Sequence, residues 1–241
     1  MNANTRLEQT NGSSDVTGGV VRRMIQVVFT FLIQAACLFL SSGRLDWVWA
    51  WAFLGVGMGI LVFNMLAVMP KNLEMVAERG RVGEDAKDWD KKMALLGIVG
   101  QLSIWIVAGL DVRFGWSPPL HWAVHLVALA LVTLGYLMWS WAMMSNKFFS
   151  GVVRIQKDRG HTVATGGPYR YVRHPGYVGW IIICLATPLA LGSLWALIPA
   201  VLAVGLTVVR TALEDRTLRA ELPGYEEYAQ QVRYRLLPGV W

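Results

Sequence analysis

Long apolar runs separated by short basic connections set the architecture of this chain. Six such runs predict helices, over approximately Val21–Leu40, Trp47–Met69, Met93–Leu110, His121–Met144, Tyr177–Leu191 and Leu194–Val209. The first four approach the ~20 residues that a helix needs to cross ~30 Å of hydrocarbon. The last two are shorter, with only Gly192-Ser193 between them, so they read as a tight helical hairpin, a re-entrant hairpin being the alternative. Pro188 and Pro199 fall inside these two runs and predict kinks, because proline removes a helical N–H and crowds the preceding turn. The expected fold is all-α: a polytopic membrane bundle of about six transmembrane segments. It divides into a disordered tail at 1–20, rich in Asn, Thr, Ser and Gly, N-terminal membrane helices at 21–145 and a C-terminal region at 146–241.

Composition supports the membrane reading. Only 16% of the residues are charged and 55% are hydrophobic, where soluble domains carry about a quarter charged residues. Twelve tryptophans suit the interfacial belt, where an amphipathic ring sits at headgroup depth. With six crossings, 20 of the 22 Lys and Arg fall on one side and only Arg44 and Arg113 on the other. Basic loops stay cytoplasmic, so both termini are expected there, in a multi-pass protein of a plasma or bacterial inner membrane. The net charge of +6 needs no nucleic-acid partner when such loops face anionic lipid. Cys37 and Cys184 lie in apolar runs and read as packing residues. His121 and His125 share a helix face but lack a third ligand, so no metal site is expected.

The chemistry concentrates in the connections on the basic side. The segment Lys71–Lys92 predicts a short interfacial helix at Leu73–Glu78, with Trp89 anchoring the return. It is either a solvated loop or a flap over a site. The connection Ser145–His174 is long for a compact bundle, yet contains Phe148, Phe149, Val152, Val153, Ile155, Tyr169 and Tyr171, which can pack. It ends in Gly-Pro-Tyr-Arg-Tyr-Val-Arg-His-Pro-Gly-Tyr-Val-Gly, residues 167–179. Arg170 and Arg173 alone would suit an anchor before the next span; His174-Pro-Gly-Tyr177 is not explained that way. Helical character continues past the sixth run, placing Arg210 and Glu214 one turn apart. That spacing suits a surface salt bridge or a cation and an anion gripping two parts of a ligand.

The combination of Gln156, His161-Thr-Val-Ala164, Gly167-Pro-Tyr169, Arg173-His-Pro-Gly-Tyr177 and Arg210-x-x-x-Glu214-Asp215 resembles the isoprenylcysteine carboxyl methyltransferases. It is also similar to phospholipid N-methyltransferases. The resemblance covers the residues from Asn146 onward; Ala77-Glu-Arg79 and Trp89-Asp90 are similar more loosely to bacterial members. It implies a membrane-embedded methyltransferase with S-adenosylmethionine on the cytoplasmic side, between the fourth–fifth connection and the C-terminal helices. It implies cofactor contacts from Gln156, His161, Thr162, Val163, Ala164, Tyr169, Arg173, His174, Pro175, Gly176, Tyr177 and Glu214. Arg210 would address a lipophilic or lipidated acceptor, and Arg210 and Glu214 together would carry the reaction.

These residue types suit that chemistry. A carboxylate such as Glu214 pairs with an ammonium group, and aromatic faces such as Tyr169 and Tyr177 stabilise a sulfonium. An arginine can grip a carboxylate as a fork. A carboxylate acceptor is a nucleophile without a base. An amine, phenol or thiol would need one, and Glu214 or Asp215 is the candidate; the family often has paired glutamates where this chain has Glu214-Asp215. The ending Tyr225-x-x-Tyr228 to Val232-Arg-Tyr-Arg235-Leu-Leu-Pro-Gly also resembles membrane sterol reductases, so an NADPH-dependent reductase is the alternative, and a non-catalytic lipid-binding protein a third.

Overall fold

The computed structural model describes residues 3–81 and 86–241, with side chains from residue 16 onward. Among these residues the regular structure is helical. The principal helices are α1 (Ala3–Ser42), α2 (Val48–Phe63), α3 (Leu73–Gly80), α4 (Asp88–Phe114), α5 (Trp122–Met144), α6 (Pro175–Leu191), α7 (Leu197–Glu221) and α8 (Tyr225–Gln231). A π-helical turn, Asn64–Val68, and a 3₁₀ turn, Met69–Lys71, carry α2 on toward α3.

Five helical stretches are long and apolar enough to cross a membrane: Val16–Ser42, Val48–Lys71, Asp88–Phe114, Trp122–Met144 and Leu197–Glu221. The chain is a multi-pass membrane protein. Helix α6 is apolar but has 17 residues, about 26 Å at 1.5 Å per residue, short of a full hydrocarbon crossing. Apolar side chains cover the outside as well as the inside: Ile25, Leu96, Val127 and Leu202 are all exposed, as lipid contact requires.

The tail expected at 1–20 is instead helical from Ala3, while Met1 and Asn2 lie outside the described residues. Local composition is overridden by packing. A Cβ on Gly19 would come within 2.8 Å of the Ala77 Cβ, and one on Gly80 would collide with the Gly19 carbonyl. The small residues let α1 lie directly on α3, and the contact recovers the helix propensity that Gly18-Gly19 lacks. The short interfacial helix expected at Leu73–Glu78 is α3, which runs to Gly80.

Helix α1 also packs on α4, α4 on α7, and α7 on α6. The largest buried cluster joins Phe53 and Leu54 of α2, Ile104 and Trp105 of α4, Val132 of α5, and Leu191 of α6. Helices α5 and α6 form the most extensive pair. Gly135 and Gly179 face one another there; a Cβ on Gly135 would sit 2.8 Å from the Gly179 carbonyl oxygen. Their backbones therefore approach as closely as small-residue interfaces in membranes allow. At one end, Asp111 accepts from the Ser117 amide and from the Ser117 and Ser193 hydroxyls. That knot fixes the turn between α6 and α7. His125 bonds the Ala190 carbonyl oxygen at 3.0 Å and stacks on Trp49, which gives this histidine a packing role.

Candidate active site

The connection 145–174 folds back over the opposite end of the bundle. Asn146 begins it by accepting from the Phe148 amide through its side chain. Gly167 turns it, at φ +56°, where a Cβ would collide with the Ser145 hydroxyl. Two backbone bonds then tie it to the C-terminal segment: the Arg173 and His174 amides donate to the Tyr234 and Arg235 carbonyls at 2.9 and 3.0 Å. A chamber of about 250 Å³ lies between this connection, α7 and α8.

Most of the residues expected to bind cofactor meet at this chamber. His161, Thr162, Val163 and Ala164 line it, as do Tyr169, Arg173, His174, Gly176 and Tyr177, with Arg210 and Glu214 on the α7 side. Gln156 and Pro175 do not line it. Gln156 is fully buried and braces the connection, donating to the Phe148 carbonyl at 2.8 Å and accepting from Arg159 at 2.5 Å. Pro175 opens α6, where its missing N–H has no helical partner to lose.

Arg210 and Glu214 do not pair with each other directly. Glu214 accepts from the Tyr177 hydroxyl at 2.5 Å. Arg210 donates through Nε and Nη2 to Asp90 at 2.7 and 3.2 Å, and through Nη2 to the Gly151 carbonyl. Its guanidinium lies 5.6 Å from the Tyr177 ring centroid. Asp90, fully buried in the first turn of α4, also accepts from the Val153 amide at 2.7 Å. Asp90 thus fastens α4, the connection and α7 together. Among the described residues, the hydrogen bonds of the Arg210 guanidinium are made by Nε and Nη2.

Asp215 is not placed to take an acceptor proton. It is 1% exposed and accepts from Arg173 at 2.7 and 3.2 Å, Arg235 at 3.0 Å, Arg219 at 3.2 Å and the Tyr225 hydroxyl at 3.0 Å. Arg173 spends its remaining donor on the Val232 and Arg233 carbonyls, both at 2.7 Å. These two charges form a buried clamp behind the chamber wall, with His174 Nε2 3.4 Å from Asp215 and from the Tyr225 hydroxyl. Of the two adjacent acids, only Glu214 faces the chamber.

Aromatic and titrating groups complete the walls. Burial pushes the hydroxyls of Tyr169, Tyr225 and Tyr228 up, so all three stay neutral donors; Tyr228 donates to the Tyr169 carbonyl at 2.7 Å. Burial, with Arg154 and Arg159 nearby, lowers His161 to about 4. Its neutral ring accepts the Gln156 amide at 3.2 Å and rests on Phe148. Tyr225, Tyr228, Trp139 and Phe149 also line the chamber, beyond the residues expected from the sequence. The three-residue spacing of the two tyrosines was the available signal, since it puts both on one helix face.

A second cavity of about 330 Å³ adjoins the first, between α1, α2, α3, α5 and α6. Its lining is largely apolar, with Val27, Phe31, Leu61, Met143 and Trp180 among the contributors, and it shares Arg79 and Trp139 with the polar chamber.

Fold and site together define a polytopic helical membrane protein with a polar–aromatic chamber at one end and an apolar cavity beside it. Residues 127–220 match the isoprenylcysteine carboxyl methyltransferase (ICMT) family model, and over that stretch the chain is similar to that family. A protein-S-isoprenylcysteine O-methyltransferase from Schizosaccharomyces pombe is 40% identical over 67 residues, 27% of this chain and 28% of the relative. A probable protein-S-isoprenylcysteine O-methyltransferase from Oryza sativa subsp. indica is 30% identical over 115 residues, 46% of this chain and 60% of the relative. The chain therefore spans less than two thirds of the length of these curated relatives. A solved structure of the eukaryotic intramembrane Ras methyltransferase ICMT aligns over 95% of this chain and 94% of that one, at 15% identity and a TM-score of 0.48.

Proposed function

We propose that this chain is an integral membrane methyltransferase that uses S-adenosylmethionine to methylate the carboxylate of a lipophilic acceptor of the isoprenylcysteine type. The observation that carries the reading is the pair of adjoining cavities, one polar and aromatic, the other apolar, meeting at Arg79 and Trp139. The relatives named above are O-methyltransferases, and that favours this reading over a reductase or a passive lipid binder. The chamber faces the cytoplasm in this proposal, with both termini on that side and α6–α7 as a membrane hairpin.

The chamber suits S-adenosylmethionine by its donor set. Glu214 offers a carboxylate to an ammonium, Tyr169 and Tyr177 offer aromatic faces to a sulfonium, and Val163, Ala164 and Leu222 offer apolar surface to a flat base. When bound, the cofactor supplies a methyl group activated by the positive sulfur. The protein's own part is alignment and exclusion of water. The Tyr177 hydroxyl holds Glu214, the Arg173–Asp215 clamp holds the wall that carries His174, and Asp90 holds Arg210 at the chamber wall. An acceptor carboxylate is ionised at neutral pH and needs no base, which fits a site whose second acid is locked away. Holding two reactants in line in a dry site supplies most of such a rate enhancement.

The test is incubation of the purified chain in nanodiscs with methyl-labelled S-adenosylmethionine and N-acetyl-S-farnesylcysteine. Base-labile label in the acceptor is expected. Glu214→Gln is expected to weaken cofactor binding by about 1–3 kcal/mol, the cost of a lost charge-assisted bond, read by isothermal titration. No labelled ester, or calorimetric binding of NADPH in place of S-adenosylmethionine, overturns the proposal.

A further inference from the structure

Arg79 differs from the other arginines around the chamber. Arg173 and Arg210 each have a carboxylate partner. Among the described residues Arg79 has none, and its Nη1 is sealed from solvent with no hydrogen-bond partner at all. The guanidinium lies over two aromatic rings, 5.1 Å from the Phe149 centroid and 5.8 Å from that of Trp139. Ring contacts of this kind occupy the face of the guanidinium and leave its in-plane donors unused.

A buried donor without a partner is destabilising, and more so when it is charged. Burial and the neighbouring Arg23 and Arg210 charges bring Arg79 down to about 9, so it remains a cation at neutral pH. Three guanidinium groups thus converge on one region, where, among the described residues, only Arg210 has a carboxylate partner. An anion placed there would satisfy Nη1 and relieve the repulsion. The position is specific as well, since Arg79 lies where the polar chamber opens onto the apolar cavity.

We infer that Arg79 is the anion receptor of the acceptor site: an amphiphile lies with its tail in the apolar cavity and presents its carboxylate to Arg79 at the junction. The inference rests on the reading of the chain as a methyltransferase of lipophilic carboxylates, and it adds the residue that recognises the charge. Arginine suits a carboxylate because its planar fork matches two oxygens at once. Trp139 and Phe149 hold the fork in place, while Arg210 is engaged with Asp90 and the Tyr177 ring. Methylation turns the carboxylate into a neutral ester, so Arg79 holds the substrate and releases the product.

The experiment compares binding of N-acetyl-S-farnesylcysteine and of its neutral carboxamide to the chain in nanodiscs, by thermophoresis, with S-adenosylhomocysteine affinity measured on the same samples. The wild-type protein is expected to prefer the carboxylate by tenfold or more. Arg79→Met and Arg79→Gln are expected to bind both compounds alike while keeping S-adenosylhomocysteine affinity, and Arg79→Lys to retain part of the preference. A preference that survives in both neutral variants, or that the wild-type protein lacks, overturns the inference. A wild-type protein that prefers the carboxylate through Arg79 but never methylates it upholds the inference and overturns the activity instead.

Discussion

Replacing Asp215 by Asn tests whether this acid is structural or chemical. Asp215 is 1% exposed and Arg173 beside it is 4% exposed. Removing one partner of a buried ion pair costs about 3–5 kcal/mol, because the other charge is left without compensation. Arg173 keeps the Val232 and Arg233 carbonyls, and the partly exposed Arg219 and Arg235 can turn to water, so the low end, about 3 kcal/mol, is expected. The loss falls on the union of the 167–174 strap with residues 225–236, held by the Arg173–Tyr234 and His174–Arg235 backbone bonds. Hydrogen exchange by mass spectrometry reads it directly. At 1.4 kcal/mol per factor of ten, amides of α8 and of residues 232–236 should exchange roughly a hundredfold faster, while α5 and α2 stay unchanged. Wild-type exchange in Asp215→Asn, together with abolished methyl transfer, would refute the clamp and restore Asp215 as a participant in the chemistry.

Arg210→Ala should spare cofactor affinity while lowering methyl transfer by an order of magnitude or more. Arg210→Lys should rescue poorly, because an ammonium cannot reproduce the paired Nε and Nη2 bonds to Asp90; full rescue by lysine in a radiolabel assay would show that only positive charge is needed. The connection 145–174 should also loosen in acid. Folding depresses the pKa of His161, so its contribution to stability is present above the unfolded value of about 6.5 and is lost as pH falls toward about 4. Limited proteolysis of this connection should accelerate across that window in the wild-type protein and not in His161→Gln.

What the sequence conveyed depended on how local each signal was. The apolar runs gave α2, α4, α5 and α6 to within a few residues, because lipid exposure writes a helix as a continuous stretch of hydrophobic letters. Most of the motif around His174 and Glu214 lies at one chamber, although Pro175 and Asp215 do not line it. The pairing of its members was not legible. Arg210 and Glu214, four apart, suggested a pair; yet Arg210 found Asp90, 120 positions earlier, and Glu214 found Tyr177. Glu214 and Asp215 were alternative candidates for a base toward an acceptor that needs one, but adjacent helical positions point about 100° apart, and that turn directs Glu214 to the chamber and Asp215 onto Arg173. The helical start of the chain went unread for a similar reason: Gly18-Gly19 argues against helix locally, and only contact with Ala77 and Gly80 reverses it.

The close approach of Gly135 and Gly179 has a consequence for how this site can change. The 145–174 connection leaves α5 and re-enters through α6, two helices locked together at van der Waals distance. In a free chain, bringing the ends of such a loop together costs entropy that grows with its length. Here the helix pair meets that cost whatever the loop contains. Residues of the connection away from its ties to Asp90, Arg210 and the C-terminal segment can then be exchanged with little effect on the bundle below. Substitution at either glycine, by contrast, would spread the anchor points and alter every contact of the loop at once.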